Sequence, residues 1–394
     1  MAVPAPLMPD VDFMLDYVPD FHERIAELRK HGPVVPIMGF GKPGWALLDY
    51  EHVDFAFRDK TAFDVTRYNV EVAEPFMGRA LLAMKDDEHK LNRGMMNPSF
   101  LPGKSRSYVE GIIEPTVHEL LDRIEDMEEV DIKEAFCKPF PFTVITKLLG
   151  IPVTEEARLI QLAGDMLSYM FDEDLSRGAH KDFGAFMIPL LEERRRNPGD
   201  DLISQMVQIE VDGVRLEDEP IMAFLRSLYP AGGHSTSLNT GSAVYAVLAN
   251  PEARAMVLKG EKERMAVVSE ALRWEPALGI IPRLMIDDIE LGGVKISRDD
   301  TTYLTVTSAN NDPKVFPNPR KFDPTRKNLA NLITFGRHEH LCLGRHLAQR
   351  EMEVALRVLL ERFPKMELVP DKEIRFSSTL FRTCEELWVR PYGN

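Results

Sequence analysis

The chain has 394 residues, with 48 Lys and Arg against 63 Asp and Glu, which gives a formal net charge of −15. This acidic balance, without a Lys/Arg block or a matching motif, excludes a typical nucleic-acid-binding protein. The three cysteines, Cys137, Cys342 and Cys384, lie far apart, which argues against a disulfide framework and favours a reducing cytoplasm.

The predicted elements begin with an amphipathic helix at 21–30 and a hairpin of two short strands at 34–38 and 45–48. Further helices are predicted at 89–96, 112–124, 142–149, 155–170, 183–195, 221–248, 261–274 and 344–362. Strand-like runs cluster late, at 284–296, 301–307, 374–376 and 387–389. The pattern predicts a mainly α fold with small β-sheets.

Neither a repeat nor a low-complexity linker divides the chain, so we expect a single domain over residues 1–394. The first twelve residues have no basic n-region or apolar h-region, so we expect no signal peptide. No run of 18 or more apolar residues occurs, so no membrane span is expected.

The segment 220–250 carries helix signals at both ends but has a weak centre. Three acids precede Pro220, as is typical of a helix start, and Asn250-Pro251 marks a stop. The centre, 230–236, contains a proline and two adjacent glycines, and each glycine costs a helix roughly 1 kcal/mol. The sequence therefore predicts either one helix, distorted there to admit a small ligand, or two helices joined by a loop.

Two charged pairs occur at helical spacing. His89 and Arg93, at i and i+4, place two donors on one helix face, which suits a ligand with two carboxylates. Glu270 and Arg273, at i and i+3, also share a face, and Arg326 downstream would complete a buried network. Taken singly, such residues are more often ordinary surface or structural residues.

Cys342 lies in the run Phe-Gly-Arg-His-Glu-His-Leu-Cys-Leu-Gly, directly before a predicted helix. Gly336 and Gly344 indicate tight backbone, as is needed where a chain passes close to a flat ligand. A thiolate held in such a loop can be the proximal ligand of a haem iron. Together with Cys342, His338 and His340 also suggest a zinc site, but their close spacing lacks the paired separations between ligands that a structural zinc site has. A buried, unreactive cysteine is the remaining alternative.

Together these segments resemble the cytochrome P450 family from end to end. The cysteine loop, the two charged pairs, the segment 322–326 and Ala231-Gly232 in the long helix occur in the family's order and at its spacing. Three stretches are partly similar to the bacterial camphor-hydroxylase branch: 138–142, 192–196 and 341–348. This similarity does not fix a substrate.

The resemblance implies a haem b monooxygenase with the cytochrome P450 fold and Cys342 as the axial thiolate. The haem propionates would contact four basic side chains: His89, Arg93, Arg283 and His340. A structural triad would be formed by Glu270, Arg273 and Arg326. Electrons would come singly from a 2Fe–2S ferredoxin and its NAD(P)H reductase, since no reductase domain is fused to the chain.

Two positions depart from the family's pattern. His338 stands where the family usually has Gly, so we expect its bulk beside the proximal side of the haem. The family's proton-relaying pair, Asp or Glu followed by Thr, is here His234-Ser235, followed by Thr236. Ser235 keeps a hydroxyl, and His234 can move protons with an unperturbed pKa of about 6.5, but it can also be cationic. These three side chains are therefore the candidate catalytic residues.

The leading interpretation is O2-dependent hydroxylation or dealkylation of a small or medium apolar molecule, such as a terpenoid, an aromatic compound or a steroid. Five mostly apolar segments are candidates for its pocket: 65–68, 76–77, 228–232, 277–281 and 380–381. No clamp for a substrate carboxylate stands out in these segments, although Arg67 or Arg382 could serve as one. The altered pair leaves open a peroxide-driven peroxygenase or a haem isomerase or dehydratase, and a third alternative is a haem-binding sensor without turnover. No nucleic-acid or membrane partner is expected.

Overall fold

The computed structural model describes residues 3–211, 213–377 and 379–393. Helices dominate them and the strands are short, so the prediction of a mainly α fold with small β-sheets is confirmed. The helices are α1 (Phe21–Arg29), α2 (Tyr50–Arg58), α3 (Val65–Tyr68), α4 (Glu74–Met77), α5 (Asp86–Met96), α6 (Pro102–Tyr108), α7 (Glu114–Asp122), α8 (Pro139–Leu148), α9 (Glu156–Leu167), α10 (Glu173–Arg196), α11 (Leu202–Gln208), α12 (Asp218–Leu248), α13 (Pro251–Lys259), α14 (Glu261–Trp274), α15 (Val306–Asn310) and α16 (Arg345–Arg362).

The strands are β1 (Val34–Gly39), β2 (Lys42–Leu47), β3 (Val130–Asp131), β4 (Glu210–Val211), β5 (Val214–Arg215), β6 (Ile281–Leu284), β7 (Ile289–Leu291), β8 (Val294–Ile296), β9 (Thr301–Leu304), β10 (Glu367–Leu368), β11 (Phe376–Ser377), β12 (Thr383–Cys384) and β13 (Trp388–Arg390). The largest sheet has the order β1-β2-β9-β6, in which β2 runs parallel to β9. Strands β6 and β9 are antiparallel, and Arg283 of β6 pairs with Thr302 of β9. A second sheet has the order β10-β13-β3, and β11-β12, β4-β5 and β7-β8 pair in twos.

Helix α12 runs through the core and contacts α8, α9, α10, α14 and α16. Gly233 allows α8 to come close, because a Cβ there would lie 2.3 Å from Cδ1 of Phe142. Buried hydroxyls along α12 bond back to its own carbonyls, as when Thr240 Oγ1 donates to the Thr236 carbonyl at 2.7 Å. The helix is therefore fixed by packing along its length.

The long segment is one continuous helix, so the alternative of two helices joined by a loop is wrong. Other differences are local. The predicted strand at 301–307 ends at Leu304, and the chain then turns into α15. The predicted run at 284–296 is broken by Gly292-Gly293, whose φ angles of 59° and 81° make the tight turn between β7 and β8. Among the described residues, no helix is both long enough and apolar enough to span a membrane.

Candidate active site

The loop before α16 holds Cys342 in a closed turn. The Cys342 amide donates to the Phe335 carbonyl at 2.8 Å, and Gly336 has a φ of 71°, which suits glycine. Arg337 ties the loop to α2, since its Nε donates to Asp54 Oδ1 at 2.9 Å. The thiol is thereby held at the N-terminus of an 18-residue helix.

The side chain of Cys342 stays accessible although protein atoms surround it, as expected for a group that lines a recess. Burial raises the pKa of the Cys342 thiol, whereas the amides of Gly344 and Arg345 and the guanidinium groups of Arg345 and Arg93 act in the opposite direction. Donors and cations of this kind stabilise a thiolate. Cys342 is therefore placed to act as an anionic ligand.

His338 adopts a φ of 55°, which explains why a glycine is usual at this position. Its side chain is exposed. The substitution therefore adds backbone strain to the loop, and the position of its bulk beside the proximal side of the haem stays a prediction.

Three basic side chains from separate elements converge with buried nitrogens that have no hydrogen-bond partner: His89 Nε2 of α5, Arg283 Nε of β6 and His340 Nδ1 of the cysteine loop. The imidazole centroids of His89 and His340 are 4.3 Å apart. Burial, then His89 and also Arg283, lower the pKa of His340 to about 4. Unpaired buried donors require an explanation, and an acidic ligand would satisfy all three.

Arg93 lies beside this cluster and reaches the cysteine loop, where its Nη2 donates to the Leu341 carbonyl at 2.5 Å. Burial also lowers the pKa of His89, so the imidazoles are neutral donors at pH 7 and the positive charge belongs to Arg93 and Arg283. These donors fit the two carboxylates of a haem, and the Cys342 thiol at the N-terminus of α16 fits its iron.

The central turn of α12 keeps its helical path despite Pro230. Ser235 Oγ donates to the Ala231 carbonyl at 2.8 Å, and Thr236 is buried. His234 is half-buried, and the edge of its ring meets Phe381, with centroids 5.0 Å apart at 88°. Burial first, then Lys138 and Lys133, lower the pKa of His234, so it is neutral at pH 7.

Several predicted pocket segments meet in space. Leu278 forms a β-bridge with Phe381, and Phe381 contacts α12 through His234. Arg67 and Arg382 are already ion-paired, with Nη2 of Arg67 2.5 Å from Asp299 Oδ1 and Nε of Arg382 2.5 Å from Glu275 Oε2. These ion pairs argue against both arginines as clamps for a substrate carboxylate.

The predicted triad is assembled and buried. Glu270 accepts bonds from Nε and Nη2 of Arg273 at 2.7 and 2.8 Å, and from Nε of Arg326 at 3.2 Å. Arg273 also donates to the carbonyls of Asn310 and Pro319 at 2.9 and 2.8 Å. The triad therefore fixes the segment 310–326 onto α14.

A second ion cluster, centred on Glu275, was not predicted. Its carboxylate, 1% exposed, lies 2.9 Å from His22 Nε2, 2.6 Å from Arg320 Nη2 and 2.5 Å from Arg382 Nε. Burial alone would raise the pKa of Glu275, but His22, Arg382 and Arg320 hold it well below its usual range. No local spacing signals this cluster, because its members come from four remote parts of the chain.

A comparison with protein families decides what this site belongs to. The family model described as Cytochrome P450 matches residues 13–260 and 265–383. The chain belongs to the cytochrome P450 family. It is 31% identical over 395 residues to 6-deoxyerythronolide B hydroxylase of Saccharopolyspora erythraea, covering 95% of this chain and 96% of that protein.

Solved cytochrome P450 structures agree. A cytochrome P450 from Novosphingobium aromaticivorans superposes with a TM-score of 0.82 at 30% identity, covering 93% of each chain. One from Bacillus megaterium in complex with testosterone gives a TM-score of 0.83 at 25% identity, covering 94% of this chain and 97% of that one.

Membership of the cytochrome P450 family confirms three predictions: haem b as the cofactor, oxidoreductase chemistry and a monooxygenase enzyme that uses O2, a substrate and a redox partner. It therefore disfavours a sensor without turnover, since the Saccharopolyspora erythraea relative is named as a hydroxylase. The roles of individual residues, the single-domain boundary and the likeness to the camphor-hydroxylase branch stay predictions.

Proposed function

We propose that Cys342 is the axial thiolate of a haem b monooxygenase that inserts one oxygen atom of O2 into a small or medium apolar substrate. The supporting observation is the convergence of the Cys342 loop with the unpaired nitrogens of His89, Arg283 and His340. Thiolate-ligated haem supplies the oxygen chemistry, because the thiolate donates electron density to the iron and favours O–O cleavage.

The remaining residues have binding and proton-transfer roles in this proposal. The two haem carboxylates would be held by four basic side chains, His89, Arg93, Arg283 and His340, which would thereby orient the cofactor. Charge-assisted bonds from arginine give such carboxylates a defined orientation.

His234, Ser235 and Thr236 supply protons from α12. A neutral imidazole accepts a proton at one nitrogen and donates from the other, so His234 is suited to pass protons inward at pH 7. Ser235 Oγ donates to the Ala231 carbonyl, and its hydroxyl would have to leave this partner to take part in proton transfer.

The proposed electron donor is a separate 2Fe–2S ferredoxin with its reductase, and the proposed location is the cytoplasm, supported by three cysteines without a disulfide. The relatives are named for a hydroxylation of 6-deoxyerythronolide B and for a complex with testosterone. Both molecules are largely apolar, and the buried Phe76, Met77 and Leu380 of the candidate pocket suit a substrate of this kind.

The decisive experiment compares Cys342→Ser with Cys384→Ser. We expect the purified wild type to contain haem b and its ferrous–CO complex to absorb at the wavelength diagnostic of thiolate ligation. Cys342→Ser should lose this band, whereas the control Cys384→Ser should keep it. A thiolate band that survives in Cys342→Ser contradicts the proposal.

A peroxide-driven peroxygenase is the second candidate, favoured by the replacement of the family's carboxylate with His234. The test is product formed per NADH consumed, with a substrate that fully shifts the Soret band and a competent ferredoxin. If the relay is degraded, His234→Asp/Ser235→Thr should couple better than the wild type, and the wild type should turn over with peroxide. If His234 belongs to a substitute relay, coupling should fall clearly, because general acid catalysis contributes about 10²–10⁴-fold to the rate of such a step. Equal coupling in both proteins contradicts any role for the two side chains.

A further inference from the structure

Two segments that are remote in sequence, 277–279 and 380–382, pack tightly against each other beside α12. The Arg382 amide donates to the Ala277 carbonyl at 2.7 Å, and the Gly279 amide donates to the Leu380 carbonyl at 3.2 Å. A Cβ on Gly279 would lie 2.2 Å from the Thr379 carbonyl oxygen, so the segments touch backbone to backbone. The position of residues 380–382 is therefore set by the segment 277–279.

Both segments are also attached to α12. The Ala277 amide donates to Asn239 Oδ1 at 2.9 Å, five residues after His234 on the same helix. Phe381 meets the His234 imidazole edge-on. The ring of Phe381 is thus one contact that restricts rotation of the His234 imidazole.

Arg382 is adjacent to Phe381 and is 2% exposed. Its guanidinium lies 5.3 Å from the Phe21 ring and 5.5 Å from the Phe376 ring, and it is ion-paired to Glu275. A buried guanidinium held by a carboxylate and two ring faces has a fixed position, and the backbone that carries it is fixed with it.

We propose that Glu275 and Arg382 are positioning residues that hold the Phe381 ring against His234 and so orient the imidazole for proton delivery. The inference rests on the proposed role of His234. Proton transfer depends strongly on geometry, since a misplacement of about 1 Å can cost roughly 10²-fold in rate. An imidazole without this contact would rotate and present its nitrogens in several directions.

The test observes His234 directly in the full-length holoprotein. Histidines labelled with ¹³C are recorded in the ferrous–CO state, which is diamagnetic, and the His234 signal is identified by its absence from His234→Gln. The ring current of Phe381 shifts the His234 signal. Phe381→Leu removes this ring, so its spectrum gives the chemical shift of His234 without the contact. Arg382→Met and Glu275→Gln should move the His234 signal toward that position, and Arg382→Lys should move it part of the way.

The matched control is Glu353→Gln. Glu353 is also a buried carboxylate with two arginine partners, Arg264 and Arg350, but it lies on α16. Its substitution should lower stability and leave the His234 signal in place. The variants of Arg382 and Glu275, but not Glu353→Gln, should also release more peroxide per NADH consumed.

The inference is overturned by an unmoved His234 signal in the Arg382 variants, by an equal movement in Glu353→Gln, or by movement without loss of coupling. Arg382→Lys keeps the experiment decisive if Glu275→Gln does not fold. A normal thiolate band with an unmoved signal contradicts this inference alone, whereas a wild type without that band contradicts the proposed function.

Discussion

Substituting Glu270 with Gln tests how much the fold depends on the triad. Glu270 is fully buried, and four donors converge on its carboxylate: two from Arg273, one from Arg326 and the Asp323 amide, the last at 2.8 Å. Gln keeps the shape of the side chain but removes the negative charge and one acceptor oxygen. Two buried guanidinium groups then face an amide that cannot balance them.

The expected cost follows from this burial. Removing one partner of a buried ion pair costs about 3–5 kcal/mol, because the remaining charge stays uncompensated. At about 1.4 kcal/mol per factor of ten, this raises the unfolded fraction by roughly 10²–10⁴. It is also a large share of the 5–15 kcal/mol by which folded proteins are typically stable.

The assay is urea unfolding, followed by far-UV circular dichroism and by the Soret band. Glu270→Gln should lower the unfolding midpoint strongly and lose haem during purification. The control is Glu361→Gln, which breaks a half-exposed i,i+4 pair with Arg357 and should cost no more than about 0.5 kcal/mol. Equal midpoints for the two variants would refute the reasoning.

Three further predictions use single sites. His338→Gly should raise the free energy of unfolding by about 1 kcal/mol in a urea titration, because it removes a left-handed non-glycine conformation from an exposed residue; a loss of stability would contradict this. Gly233→Ala should lower the free energy of unfolding by about 1–3 kcal/mol, because its Cβ would clash with Phe142. The control Gly164→Ala, whose Cβ would meet no neighbouring group within 4 Å, should raise this free energy by about 1 kcal/mol. Differential scanning calorimetry would measure both. Burial, with two nearby lysines, lowers the pKa of His234 in the folded protein. The folded state therefore favours the neutral imidazole. The contribution of His234 to stability is complete above the unfolded pKa of about 6.5, and it is lost as the pH falls through the lower folded pKa. His234→Gln should therefore flatten the acid side of the stability–pH curve, and an unchanged slope would refute the assignment.

The parts of the site that could be predicted are those with local spacing. Glu270 and Arg273 lie one helical turn apart, so their pairing follows from the period of the helix. His338 could be singled out because it stands where the cytochrome P450 family usually has Gly, and its left-handed backbone gives the physical reason for that glycine.

Tertiary packing decided the features that the sequence did not predict. Helix α12 continues past Pro230, since its packing against α8 outweighs its weak helix propensity. Helix α10 begins ten residues before its predicted start, because Asp172 caps it by accepting the Leu175 amide at 3.0 Å. No period reveals the Glu275 cluster, since its partners are set by the fold.

The C-terminal end of α14 connects the two halves of the site. On the side of the cysteine loop, Arg273 donates to the Asn310 carbonyl, and the Asn310 side chain accepts the Ile333 amide at 2.9 Å, two residues before Phe335. On the side of His234, Glu275 holds Arg382.

Because Arg273 and Glu275 are two residues apart, a shift of this end of α14 would move the cysteine loop and the Phe381 segment together. In the proposed function, the haem ligand Cys342 and the proton donor His234 therefore keep their relative position through one buried turn of charged residues. Burying these charges costs more free energy than burying apolar side chains would. In return, the ion pairs fix the orientation of the paired side chains as well as the distance between them.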